Sequence, residues 1–75
     1  MILMDAKGHL VSDSSLAELH DFAARIGMRR SWFQLGQSGQ HPHYDITVRW
    51  RRRRAHAAGA VQVRSKELVG RMVRR

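Results

Sequence analysis

The chain has 75 residues, no cysteine and a formal net charge of +8. That length makes one domain, spanning residues 1–75, which buries only about 60% of its unfolded surface. The lack of cysteine excludes disulfides, Cys-type zinc sites and thiol nucleophiles. A core this thin leaves homodimerisation open. The apolar start at residues 1–4 is far too short for a signal peptide or a membrane span, so the expectation is a cytoplasmic chain with no membrane partner.

Ile2-Leu3-Met4-Asp5 predicts a short strand, which His9-Leu10-Val11 continues or pairs with. Ser12-Asp13-Ser14-Ser15 then signals a helix start, and Ser15 with Glu18 fits a capping box. Leu16, Leu19, Phe22, Ala23 and Ile26 fall within about 120° of one helical face, the width of a core-facing stripe. Asp21 and Arg25 stand at i,i+4 on the other side. Gly27 is the expected stop.

Residues 36–40, Gly-Gln-Ser-Gly-Gln, read as a loop, and Tyr44-Asp45-Ile46 as a short strand. Thr47 is the expected N-cap of a second helix ending at Gly59. Its narrow apolar stripe is Val48, Ala55 and Ala58, with Arg49, Arg52, Arg53 and His56 opposite. Ala60-Val61-Gln62-Val63 predicts another strand. Ser65 is the expected cap of a last helix, with Leu68, Val69, Met72 and Val73 on one side and Arg71, Arg74 and Arg75 on the other. The expected fold is a small α/β domain in the order β-α-(β)-α-β-α, with three helices on a short, mostly parallel sheet.

The segment His41-Pro42-His43-Tyr44-Asp45 groups two histidines, a tyrosine and a carboxylate. In an extended chain His41, His43 and Asp45 project to one side. Two imidazoles and a carboxylate suit a divalent transition metal, with His9, Asp13, Asp5 or His20 to complete the shell, and a metal-bound water there would hydrolyse a phosphodiester. The bland reading is that His43 and Asp45 bond each other or nearby backbone and order the loop. For metal-free acid–base work the candidates are His43 with Asp45 and Tyr44, or His20 with Asp13, because a carboxylate can fix an imidazole tautomer. Trp32 and Phe33 are expected in the core, since few aromatics are available for burial. The ligand-binding alternative makes Trp32 a stacking platform, with Gln34 reading a ligand edge.

Charge is divided unevenly. Residues 1–48 carry four Lys/Arg against five Asp/Glu, a net of −1, whereas residues 49–75 carry ten against Glu67 alone, a net of +9. Arg49, Arg52 and Arg53 share a helical face, Arg54 and Trp50 flank it, and Arg51 must snorkel from beside the apolar stripe. Guanidinium forks match phosphate geometry, and an indole beside them can stack. The surface therefore suits nucleic acid or an acidic protein surface.

Ile2-Leu3-Met4-Asp5, His9-Leu10-Val11-Ser12-Asp13-Ser14-Ser15-Leu16, Glu18-Leu19-His20, Trp32-Phe33-Gln34, His43-Tyr44-Asp45, Gly59-Ala60-Val61 and Glu67-Leu68-Val69 together resemble the domain-of-unknown-function family numbered 4031. The resemblance covers nearly the whole chain. It implies a bacterial or phage source and a compact single domain, and it implies no activity. Family members often carry an insert after the first strand where this chain has only Ala6-Lys7-Gly8, and the second helix here is unusually rich in arginine.

The leading expectation is a small basic nucleic-acid-binding accessory protein that contacts phosphates through Arg49, Trp50, Arg52, Arg53 and Arg54. One alternative is a metal-assisted phosphodiester or nucleotide hydrolase centred on residues 41–45. The other is a phage protein that binds and blocks a host protein complex through the arginine face.

Overall fold

The computed structural model describes residues 1–74. Its strands are β1 (Ile2–Met4), β2 (His9–Ser12), β3 (Tyr44–Asp45) and β4 (Val61–Gln62). Its helices are α1 (Leu16–Arg25), α2 (Arg49–Ala57) and α3 (Ser65–Arg71), with a short 3-10 turn over Arg30–Trp32. The α/β class and the three helices are as expected. Among the described residues no helix is long and apolar enough to cross a membrane.

The sheet corrects the expectation of mostly parallel strands. Its order is β3-β2-β1-β4, with β1–β2 and β2–β3 antiparallel and β1–β4 parallel. The physical reason is the short link between β1 and β2: Ala6-Lys7-Gly8 is room for a hairpin turn, not for the crossover a parallel pair needs. His9–Val11 is therefore a separate strand that pairs back, with Leu3 opposite Val11 and Met4 opposite Leu10. Gly8 closes the turn at a φ of +90°, and a Cβ there would overlap the Ile46 carbonyl oxygen, which is why a side chain is not accommodated.

Alternation along the strands divides the core into two layers. Ile2, Met4, Leu10 and Tyr44 face Leu19, Phe22, Ala23 and Ile26 around α1, together with Ala55 of α2. Leu3 and Val11 face Leu68 and Met72 of α3. His9, two residues before Val11, shares the α3 side of the sheet.

Helix ends follow local chemistry. Ser15 caps α1, its hydroxyl accepting from the Glu18 amide at 3.1 Å. The capping box is only half formed, because the Glu18 carboxylate turns to the Ser12 hydroxyl and the Ser15 amide donates to Ser12 Oγ instead. Gly27 ends the helix at a φ of +84°, with its amide on Ala24 O and the Met28 amide on Ala23 O. The caps expected at Thr47 and Ser65 are not used. Val48 and Arg64 occupy those positions without side-chain caps. Ser65 is instead the first residue of α3 and donates to Asp5 Oδ2 at 2.7 Å. The helix ends at Arg71, so Val73 and Arg74 follow it, and Arg75 lies outside the described residues.

The apolar stripe of α2 is thinner than expected. Ala55 is buried, but Val48 and Ala58 are exposed. What ties this helix down is Arg52. Its guanidinium donates to Ile46 O at 2.8 Å, Ala6 O at 3.2 Å and Lys7 O at 3.1 Å, joining α2 to the β1–β2 turn. Arg52 is thus a structural tether between α2 and the turn. Replacing it with alanine is expected to cost about 1–3 kcal/mol, since it takes the donor from the partly buried Ile46 carbonyl and unties α2 from the turn. Arg53→Ala, on the exposed side, is expected to stay within about 0.5 kcal/mol of the parent. Urea denaturation of both variants checks the contrast.

Candidate functional site

The α3 side of the sheet gathers four titratable side chains at the end of β1. Asp5 is almost fully buried. Its Oδ1 accepts from the amides of Lys7 at 3.1 Å and His9 at 3.0 Å. Its Oδ2 meets His9 Nδ1 at 2.8 Å and the Ser65 hydroxyl. Burial pushes the Asp5 carboxyl upward, but the bonds from His9 and Ser65 outweigh it and hold the group below its usual range. An ionised Asp5 fixes a proton on His9 Nδ1, which leaves Nε2 directed away from Asp5.

His9 is paired across the strands with Asp45, and its Nε2 lies 3.5 Å from Asp45 Oδ1. His43 reaches the same oxygen, with Nε2 also at 3.5 Å. Its Nδ1 donates to the His41 carbonyl at 2.6 Å, which leaves Nε2 as the nitrogen facing Asp45. The two rings meet edge to face, 5.7 Å between centroids. Asp45 Oδ2 accepts from Gln34 Nε2 at 3.0 Å, while Asp45 Oδ1 is buried with no hydrogen-bond partner. A cleft of about 140 Å³ opens beside the pair, lined by His9, His41 and His43 and floored by Val11, Leu68 and Met72.

The expected metal shell of His41, His43, Asp45 and His9 is not assembled. Among the described residues no three His, Cys, Asp or Glu side chains are placed to hold one ion. His41 does line the shared cleft, but it serves the cluster through its backbone carbonyl.

Two other candidate residues lie elsewhere. Tyr44 alternates with His43 and Asp45, so it points to the α1 side, where it is buried. There its hydroxyl meets His20 Nδ1 at 2.8 Å, and Phe33 packs against both rings. Burial raises the Tyr44 phenol, with Arg30 opposing. Burial, and then Arg30, lowers the His20 imidazole. The expected His20–Asp13 pair does not form, because Asp13 bonds Arg71. His9 and His43 converge, and His20 belongs to the opposite layer.

The basic surface adjoins the cluster through Asp45. The expectation that Trp32 is core is corrected: it is 39% exposed, whereas Phe33 is half-buried. Trp50 is 50% exposed. Between them lies the Arg51 guanidinium, 5.4 Å from the Trp32 ring and 4.6 Å from the Trp50 ring. Arg51 Nε is buried without a hydrogen-bond partner. A wider cleft of about 440 Å³ runs past Trp32, Gln34, Asp45, Thr47 and Arg51. Arg49, Arg53 and Arg54 are exposed. The meeting of Arg51 with Trp32 joins segments far apart in sequence, and no local pattern signals it.

The family described as "Protein of unknown function (DUF4031)" matches residues 4–75, and the chain belongs to it. No curated protein and no solved structure matches the chain significantly.

His20 generates a pH prediction of known sign. Its folded value is lowered from 6.5, so it favours the fold above pH 6.5, and that contribution is lost as pH falls through the lower folded value. In His20→Gln, the drop in stability between pH 6.5 and about pH 5 is expected to shrink. Thermal melts of parent and variant across that window measure it, and equal slopes would refute the assignment.

Proposed function

We propose that this protein is a nucleic-acid-binding accessory protein that holds single strands on its Trp32–Arg51–Trp50 surface. The observation that carries the reading is the stack itself. Two half-exposed indoles flank a guanidinium, in a chain with few aromatics to spare for its core. Neither exposed indole face contributes to a core this small, and an exposed aromatic beside arginines is what an unstacked base requires.

The neighbouring charges fit the same ligand. Arg49, Arg53 and Arg54 stand free on the helix that carries Trp50 and Arg51. They can neutralise phosphates while the indoles meet base faces. Single strands are favoured over duplex because a base inside a duplex offers an indole no open face. Stacking reads every base alike, so the expected preference is for strand state and not for sequence. Gln34, which lines the wider cleft and is held by Asp45, adds an amide for a base edge. This reading shifts the phosphate contacts from Arg52, which is committed to the turn, to Arg49, Arg53 and Arg54.

Fluorescence anisotropy with labelled single- and double-stranded oligonucleotides over a salt series tests it. Replacing Arg49, Arg53 and Arg54 with alanine should reduce the salt slope by up to about 2, at roughly 0.7 per phosphate contact on a single strand. Trp50→Ala should weaken binding by about 1–3 kcal/mol and leave the slope nearly unchanged. Affinity unaltered in both variants would overturn the reading and turn attention to an acidic protein surface as the partner of the arginines.

A further inference from the structure

We propose that the His9–Asp45–His43 cluster cleaves the RNA form of the bound strand by attack of a ribose 2′-hydroxyl on the adjacent phosphodiester. The inference rests on the nucleic-acid reading of the neighbouring surface and adds chemistry to it.

Asp5 Oδ2 accepts a hydrogen bond from His9 Nδ1, and the His41 carbonyl accepts one from His43 Nδ1. Both Nε2 atoms then face Asp45 Oδ1, each at 3.5 Å. Asp45 Oδ1 is buried with no hydrogen-bond partner, and the two Nε2 atoms are what face it. His9, lying between the carboxylates of Asp5 and Asp45, is placed to serve as the acid. His43, whose Nδ1 is held by a backbone carbonyl, is placed to serve as the base, and the ring centroids are 5.7 Å apart.

Such a pair suits a reaction in which one proton is removed while another is delivered. Phosphodiester transesterification is that reaction when the nucleophile is already held beside phosphorus, as the 2′-hydroxyl of RNA is. His43 Nε2 accepts the 2′-hydroxyl proton as the 2′-oxygen bonds to phosphorus. The bond from phosphorus to the 5′-oxygen breaks, and His9 Nε2 gives its proton to that leaving oxygen. The products are a 2′,3′-cyclic phosphate end and a 5′-hydroxyl end. The two rings have exchanged roles, and water restores them. No outside reductant, oxidant or co-reactant is needed. DNA lacks the nucleophile and is not a substrate.

Placement supports that substrate. Asp45 belongs both to the histidine cluster and to the wall of the wider cleft with Trp32 and Arg51. A strand stacked on Trp32 shares the residue Asp45 with the two rings. The side chains of His9 and His43 are 39% and 14% exposed, and both rings line the smaller cleft. Arg51, on the same wall, supplies positive charge for the phosphoryl oxygens.

The test incubates the full chain with end-labelled single-stranded RNA, the same sequence as DNA, and the same RNA with 2′-O-methyl groups, all in excess chelator. The expected result is cleavage of unmodified RNA alone, with cyclic phosphate ends identified by mass spectrometry. His43→Asn and His9→Asn should each lower the cleavage rate by about 100-fold or more, while anisotropy shows the strand still bound. RNA that binds and stays intact overturns this inference and leaves the binding reading standing. RNA that does not bind removes both. Cleavage that persists in the doubly substituted protein, or that cuts the 2′-O-methyl strand, also overturns it. Should either variant fail to fold, the modified strand and the end chemistry decide the matter on the parent protein.

Discussion

The buried carboxylate of Asp5 is the contact on which the other parts depend. It sits where β1 ends and takes bonds from the amides of the following turn, the His9 ring and the first hydroxyl of α3. A buried carboxylate is costly unless its lone pairs are filled, and here four donors fill them. In doing so it sets the hairpin geometry, fixes which nitrogen of His9 is protonated and latches the last helix over the sheet. Structure and chemistry are thus held by one group.

Arg52 performs the matching task from the other side of the turn. A helix whose buried apolar side is essentially Ala55 would gain little from packing, and its run of like charges repels itself. Three backbone acceptors on two segments compensate for that weakness. Fixing α2 in this way also fixes Trp50 and Arg51 relative to Trp32. The basic surface and the histidine cluster adjoin because the same turn anchors both, Asp5 from within and Arg52 from without.

How much of this the sequence discloses depends on the range of the interactions involved. The first helix is legible because the Ser15 cap, the Leu19–Phe22–Ala23–Ile26 stripe and the Gly27 stop are all local. The convergence of His43 with Asp45 follows from period-two alternation, and the same rule puts Tyr44 on the other face. The strand directions are less legible, because His9-Leu10-Val11 reads equally as a continuation or as a partner of β1. The role of Arg52 is not legible, because its acceptors lie up to 46 residues away. Trp32 misleads for a related reason: its composition argues for burial, and only the approach of Arg51 from α2 gives it a place at the surface. The pairing of Asp5 with Ser65, sixty residues apart, is invisible to any local pattern.

The parallel pairing of β4 with β1 has a kinetic consequence. The hairpin of β1 and β2 closes a small loop, whereas β4 and α3 return from the far end of the chain to cover its second face. Closing the larger loop costs more entropy, so the hairpin and α1 are expected to form first and the C-terminal arm to dock afterwards. Until it docks, Asp5 lacks its Ser65 partner, and the histidine cleft lacks the floor supplied by Leu68 and Met72. The histidine cluster is therefore completed at the end of assembly, and a nascent chain carries the exposed arginines before it carries a finished cleft.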